Sequence, residues 1–213
     1  MSLQSRNAPG HAVTAATYAP ETPRRGTAIM PLLLPGLALT SLALPFLLPT
    51  DIVFLLPLVS WTFALQWFID EQQFHSAWTR LPPTGTANHD THMLRSRTLA
   101  EWFEQWVGQG ALCPAVSNPL CWSSSAVSIY QLRYRPWSIK GWYCIGLLLA
   151  SVIHLRFGND QYESYMRIGK SGEDGSSIDR LKAWLKMHTL RLFVVDVPAW
   201  VCIFIAIVQV LRS

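Results

Sequence analysis

"IMPLLLPGLALTSLALPFLLPTDIVFLLPLVSWTFALQWFI", Ile29 to Ile69, is the stretch that decides the fold. A single helix crossing a bilayer needs about 20 apolar residues, and this run is about twice as long. "LPTD" at Leu48–Asp51 interrupts it with turn chemistry. The run therefore reads as a tight helical hairpin with arms Ile29–Leu48 and Asp51–Ile69. Pro31, Pro35 and Pro45 make the first arm irregular. It either spans, re-enters or lies in the interface, since prolines are tolerated in membrane helices where neighbours satisfy the freed carbonyls.

The composition of the whole chain agrees. Of 213 residues, 50% are hydrophobic and 14% charged, against roughly 25% charged in an ordinary soluble domain. The mean hydropathy is +0.22. The net charge of +4 is modest, and the basic residues are scattered or flank apolar runs. They read as topology signals and headgroup contacts, not as a nucleic-acid surface. Ten Trp suit a membrane boundary, where a ring has one dry and one wet side.

Three further apolar segments follow. "ALCPAVSNPLCWSSSAVSIYQL" is a weakly apolar third span whose small residues suit close helix packing in lipid. Gly141–Leu155 is a short fourth span. A final helix, Ile178 to Leu211, begins amphipathic and ends as a fifth. Between them, Asp70–Trp106 reads as a polar segment, with "LPPTGTANHD" a loop and "RTLAEWFEQWVGQG" a short amphipathic helix ending near Gly108 or Gly110. Ser177, ahead of Asp179, reads as the N-cap of the last helix. The fold class is all-α, an integral membrane bundle of four to five transmembrane helices over residues 29–213. Residues 1–28, rich in Ala, Thr and Pro and lacking an apolar core, read as a disordered tail. With five spans, the tail and the loops richest in Lys and Arg all fall on the cytosolic side.

Cys113, Cys121, Cys144 and Cys202 lie in or near apolar stretches without metal-type spacing and read as small core residues. "HDTH" at His89–His92 lacks the remaining ligands of a zinc site. The residues that could carry chemistry sit in "KAWLKMHTLRLFVVDVPAW". Trp184, His188 and Arg191 are spaced i, i+4, i+7 and share one helical face. They are either an interfacial anchor with a snorkelling arginine or a site. Asp196 is too short to snorkel and needs a partner, with His154 or Arg156 as candidates. His154, inside an apolar segment, reads either as a satisfied bundle or boundary residue, the commoner case for a lone histidine, or as a functional group, since an ionisable side chain is costly there.

Three segments resemble one family: "LAEWFEQWVGQGALCPAVSNPL", "RPWSIKGWYCIGLLLASVIHLRFGNDQYESYM" and "IDRLKAWLKMHTLRLFVVDVPAWVCIF". Together they look like the anthrone oxygenase-like group of small integral membrane proteins, over roughly residues 50–211. Trp184, His188 and Arg191 match the pattern of its last element. The resemblance implies a tailoring monooxygenase of fungal polyketide secondary metabolism in the endoplasmic reticulum or another internal membrane, with molecular oxygen as co-substrate, no cofactor or metal, and an aromatic polyketide-like substrate. In that chemistry His188 is the base, Arg191 stabilises an enolate or peroxide oxygen, Trp184 stacks on the polycycle and His154 is a second base. Where the family has a Pro-aromatic-Thr motif, this chain reads "IHLRFGND". That departure leaves room for an isomerase or cyclase that consumes no O2, and for a non-catalytic assembly subunit.

Overall fold

From Thr50 to Arg80 the sequence contains no glycine, and in the computed structural model all 31 residues form one helix, α2. Of the chain, residues 30–80 and 89–213 are described; the expected tail and most of the expected loop before His89 lie outside them. Asp51 in the first turn and Arg80 in the last suit the helix dipole. The polar stretch after Asp70 is therefore not a connecting segment. It continues the second arm of the hairpin, because nothing in "DEQQFHSAWTR" breaks a helix. The first arm, α1, covers Met30–Ala43 and closes in a 3-10 turn at Leu44–Phe46. After the turn, the Pro49 carbonyl accepts the Ile52 and Val53 N–H groups at 3.0 and 3.1 Å.

α3 spans His89–Gly110 and α4 Leu112–Gln131. "HDTH" is thus the first turn of α3 rather than a loop. α5 (Trp137–Leu148) passes through a π turn at Leu149–Ile153 into α6 (His154–Lys170). α7 (Ser177–Arg191) passes through a second π turn at Leu192–Asp196 into α8 (Val197–Arg212). Three continuous helices, Thr50–Arg80, Trp137–Lys170 and Ser177–Arg212, are long and apolar enough to cross a membrane. The short fourth span is thus part of a 34-residue helix. α1 is too short to join this set, and α4 is diluted by its serines. Among the described residues no strand occurs.

Those serines have a structural use. Pro57 cannot donate to the Val53 carbonyl, and the Ser128 hydroxyl, which donates to the Ser124 carbonyl of its own helix at 2.8 Å, also approaches that oxygen at 3.5 Å. Pro45 likewise leaves the Ser41 carbonyl free, and the Ser123 hydroxyl, bonded to the Pro119 carbonyl at 2.8 Å, lies 3.3 Å from it. A serine hydroxyl on α4 thus lies against the carbonyl freed by a proline on each arm of the hairpin, sharing its proton between that oxygen and its own helix.

Side chains pack into two tiers. One core joins Trp61, Ala64, Phe68, Cys121, Tyr143, Ala150, Ala199 and Ile203 in the apolar part of the bundle. The other joins Leu99, Phe103, Tyr165, Ile168, Leu181 and Trp184, where the helices are more polar. Cys113, Cys121 and Cys202 are buried, Cys144 is half-buried, and all four are free thiols. Between α6 and α7, Gly175 takes a left-handed φ of 74°, and the Asp174 carboxylate accepts the Ser176 N–H and hydroxyl at 2.8 and 2.6 Å. The cap of α7 is therefore Ser176, one residue earlier than expected. Ser177 turns inward instead and donates to the Ile168 carbonyl at 3.1 Å.

Candidate functional site

The two π turns lie against each other, and an indole from a neighbouring helix donates to a backbone carbonyl in each. Trp122 Nε1 donates to the Ala150 carbonyl at 2.7 Å, and Trp61 Nε1 to the Asp196 carbonyl at 2.9 Å. Pro198, just beyond the second turn, has no N–H to offer the Val194 carbonyl, which gives that distortion a local cause. No such residue lies in "LASVI"; there the inserted indole of Trp122 is the visible cause. π turns of this kind recur at functional sites.

His154 is the first residue after one π turn and Asp196 the last of the other. His154 Nδ1 donates to Asp196 Oδ1 at 2.8 Å. The second carboxylate oxygen accepts Arg191 Nε at 3.0 Å. Asp196 is fully buried, and His154 and Arg191 are each only 5% exposed. Asp196 thus has one of its two expected partners, His154. Arg156 is exposed and pairs with Asp160 instead. The remaining partner is Arg191, five residues earlier on the same helix, where the π turn brings guanidinium and carboxylate together.

Arg191 is engaged on three sides. Besides Asp196, Nη1 donates to Gln161 Oε1 and Nη2 contacts His188 Nδ1 at 3.4 Å. The guanidinium also lies over the Phe68 ring, 4.6 Å from its centroid. Five N–H groups are available to an arginine, so two remain. A snorkelling arginine would keep its head in water; this one is buried in a network.

The two histidines differ. His188 is fully buried, with Nε2 donating to the Phe68 carbonyl at 3.0 Å and Nδ1 facing Arg191. Trp184 stacks on its ring at a centroid distance of 4.6 Å. Both nitrogens are therefore occupied, and the Trp184 face that could receive a polycycle already holds the imidazole. His154 has its proton on Nδ1, directed at Asp196, and presents the Nε2 lone pair to Asn118 Nδ2 at a loose 3.5 Å. Its ring stacks on Phe68 and meets Trp61 edge-on, each at 5.4 Å. Asn118 Oδ1 and Gln161 Nε2 are buried without a partner. An imidazole held in one tautomer by a buried carboxylate, with an unpaired acceptor and an unpaired donor nearby, is suited to moving a proton to or from a bound molecule.

Trp184, His188, Arg191 and His154, singled out in the sequence, thus belong to one contiguous cluster. Asn118, Gln161, Trp61 and Phe68 were not foreseen, nor were Glu71 and His75 further along α2. A signal for the α2 group exists: Trp61, Ala64, Phe68, Glu71 and His75 follow i, i+3, i+7, i+10, i+14 spacing. Among the described residues no group of three or more His, Cys, Asp and Glu side chains is arranged to hold a metal ion.

The chain is similar to two fungal epoxidases. One is named epoxidase pydX, from Acremonium sp, and is 25% identical over 166 residues, 77% of this chain and 97% of that protein. The other is named probable epoxidase scpX, from Mollisia scopiformis, and is 23% identical over 159 residues, 74% of this chain and 94% of that protein. No family model matches the chain, and no solved structure matches it.

Proposed function

We propose that this protein is a membrane-bound oxidative tailoring enzyme of fungal secondary metabolism, an epoxidase that acts on a carbon–carbon double bond of a small apolar molecule. The observation that carries the reading is the buried His154–Asp196–Arg191 network at the paired π turns. Ionised groups are costly in an apolar bundle, and such groups in membrane helices mark functional positions. The similarity to epoxidases over nearly their whole length supplies the reaction class. When O2 is the oxidant, one oxygen atom enters the alkene and the other leaves as water. Two electrons from a separate reductant and two protons complete the balance. His154, held by Asp196 in the tautomer that leaves the Nε2 lone pair free, is the group that moves protons. The two uncommitted N–H groups of Arg191 stabilise a developing oxyanion.

A narrower reading rests on the convergence of Trp184, His188, Arg191 and His154, on whose segments the likeness to anthrone oxygenases depends. In that reaction a CH2 flanked by aromatic rings becomes C=O, one O2 is consumed and one water is released, so no external reductant or cofactor is required. His154 Nε2 removes the first C–H proton. The substrate is then an aromatic polyketide, and the enzyme sits in an internal membrane.

The test is a metabolite comparison in the native host between wild type, a deletion strain and His154→Gln, with membrane levels of the protein checked and the culture supplied with ¹⁸O2. An accumulating alkene and a product with one labelled epoxide oxygen support the first reading. An accumulating CH2 precursor and a labelled ketone support the second. Products without label point to an isomerase or cyclase and sink both. His154→Gln should slow turnover by about 10²–10⁴-fold; an unchanged rate removes the proton-transfer role.

A further inference from the structure

One turn along α2 from Phe68, a cavity of about 220 Å³ opens between α2 and α3. Its walls are Trp67, Phe74 and Trp106, with Asp70, Glu71 and His75 as the polar lining. Trp67 and Trp106 are stacked, with centroids 6.1 Å apart and planes within 15°. A cavity of about 150 Å³ holds benzene and pockets for drug-sized ligands start at about 300 Å³. This one therefore takes a single ring with a short substituent, or one such end of a larger molecule.

The lining carries a charge imbalance. Asp196 is neutralised by Arg191, and among the described residues neither Asp70 nor Glu71 has an ion-pair partner. Glu71 is only partly exposed, at the inner wall. His75, fully buried, has both ring nitrogens without a partner. The imidazole is ringed by Trp102, Phe103, Trp106 and Trp184 at centroid distances of 5.0–5.5 Å. Electron-rich ring faces beside the Glu71 and Asp70 carboxyl groups favour a cation that is itself weakly hydrated. A protonated amine or quaternary ammonium on an organic group meets that requirement; a strongly hydrated metal ion does not.

We propose that the α2–α3 cavity is a binding site for an organic ammonium group, held by Glu71 and Asp70 against the Trp67, Phe74 and Trp106 rings. The site stands on the cavity alone and does not depend on the reaction assigned to the His154 cluster. The ammonium belongs either to a free small amine or to a lipid headgroup.

The full chain in dodecyl maltoside micelles, which carry no ammonium, is titrated calorimetrically with benzylamine and with its neutral counterpart benzyl alcohol. Saturable binding of benzylamine, tighter than benzyl alcohol by about tenfold or more, is expected, and Glu71→Gln should abolish the preference. Equal affinities, absence of saturable benzylamine binding, or a preference that survives Glu71→Gln overturn the proposal. Where Glu71→Gln does not fold, Asp70→Asn on the exposed rim is read instead. It must weaken benzylamine binding, and an unchanged affinity overturns the proposal equally. Competition by added phosphatidylcholine or phosphatidylethanolamine assigns the ammonium to a lipid headgroup, and its absence assigns it to a free amine.

Discussion

Replacing Asp196 by leucine removes an anion that is fully buried and receives two charge-assisted hydrogen bonds, from His154 at 2.8 Å and Arg191 at 3.0 Å. Such bonds contribute about 1.5–3 kcal/mol each. Breaking one side of a buried ion pair costs about 3–5 kcal/mol, because the surviving charge is left without compensation. A neutral hydrogen bond between membrane helices averages only about 0.6 kcal/mol, so the two descriptions of the site are well separated. For a chain of this size about 1 kcal/mol moves the melting temperature by about 2–4 °C. Asp196→Leu should therefore melt roughly 6–20 °C lower, followed by far-UV circular dichroism in detergent. Most of the loss comes from the stranded guanidinium, so the double variant Arg191→Met/Asp196→Leu should melt well above the single one. A loss of only about 0.6 kcal/mol, or a double variant no more stable than the single, would refute the picture of a buried, mutually compensating pair.

The pairing of Ser128 with the carbonyl freed by Pro57 gives a second cycle. Ser128→Ala removes the hydroxyl shared between the Ser124 and Val53 carbonyls and should cost about 0.5–1.5 kcal/mol. In Pro57→Ala/Ser128→Ala the restored N–H of residue 57 should recover much of that in thermal melts. His188→Gln should lower stability by about 1–3 kcal/mol, because both ring nitrogens are engaged. Its turnover per folded molecule should fall by less than about tenfold, against the about 10²–10⁴-fold expected for the proton-transfer residue. Asp174 titrates at the surface turn before α7. Its hydrogen bonds from Ser176, side chain first and backbone second, hold its carboxyl below the usual carboxylate range. Its stabilisation is present above about pH 4, where the unfolded carboxyl is ionised. It is lost as pH falls through the lower folded value. The gap in melting temperature between wild type and Asp174→Asn should therefore be constant near neutrality and close on acidification.

Hydropathy read along one chain finds where a helix can cross a membrane. It does not find where the helix stops, since polar residues continue a helix as readily as they leave it. The second arm of the hairpin was legible to Ile69, and its continuation to Arg80 was not. Glu71 and His75 were hidden for that reason, inside a segment read as connecting. A cue was present in the absence of Gly and Pro from "DEQQFHSAWTR" and in the unbroken stripe from Trp61 to His75.

Residue type and spacing by themselves determined that the protein is helical and strongly apolar. They also put Trp184, His188 and Arg191 on one face and left Asp196 in need of a partner. These follow from the 3.6-residue period and from the cost of burying a short carboxylate. The tertiary structure alone decided which group answers which. His154 lies 42 positions from Asp196, and no local period links them. Arg191 and Asp196 are on the same helix, where i and i+5 would not meet in a regular α-helix; they meet because the chain widens into a π turn between them. That turn follows from Pro198, which has no N–H for the Val194 carbonyl, and it is tied to the bundle by the Trp61 indole on the Asp196 carbonyl, a contact between residues 135 positions apart.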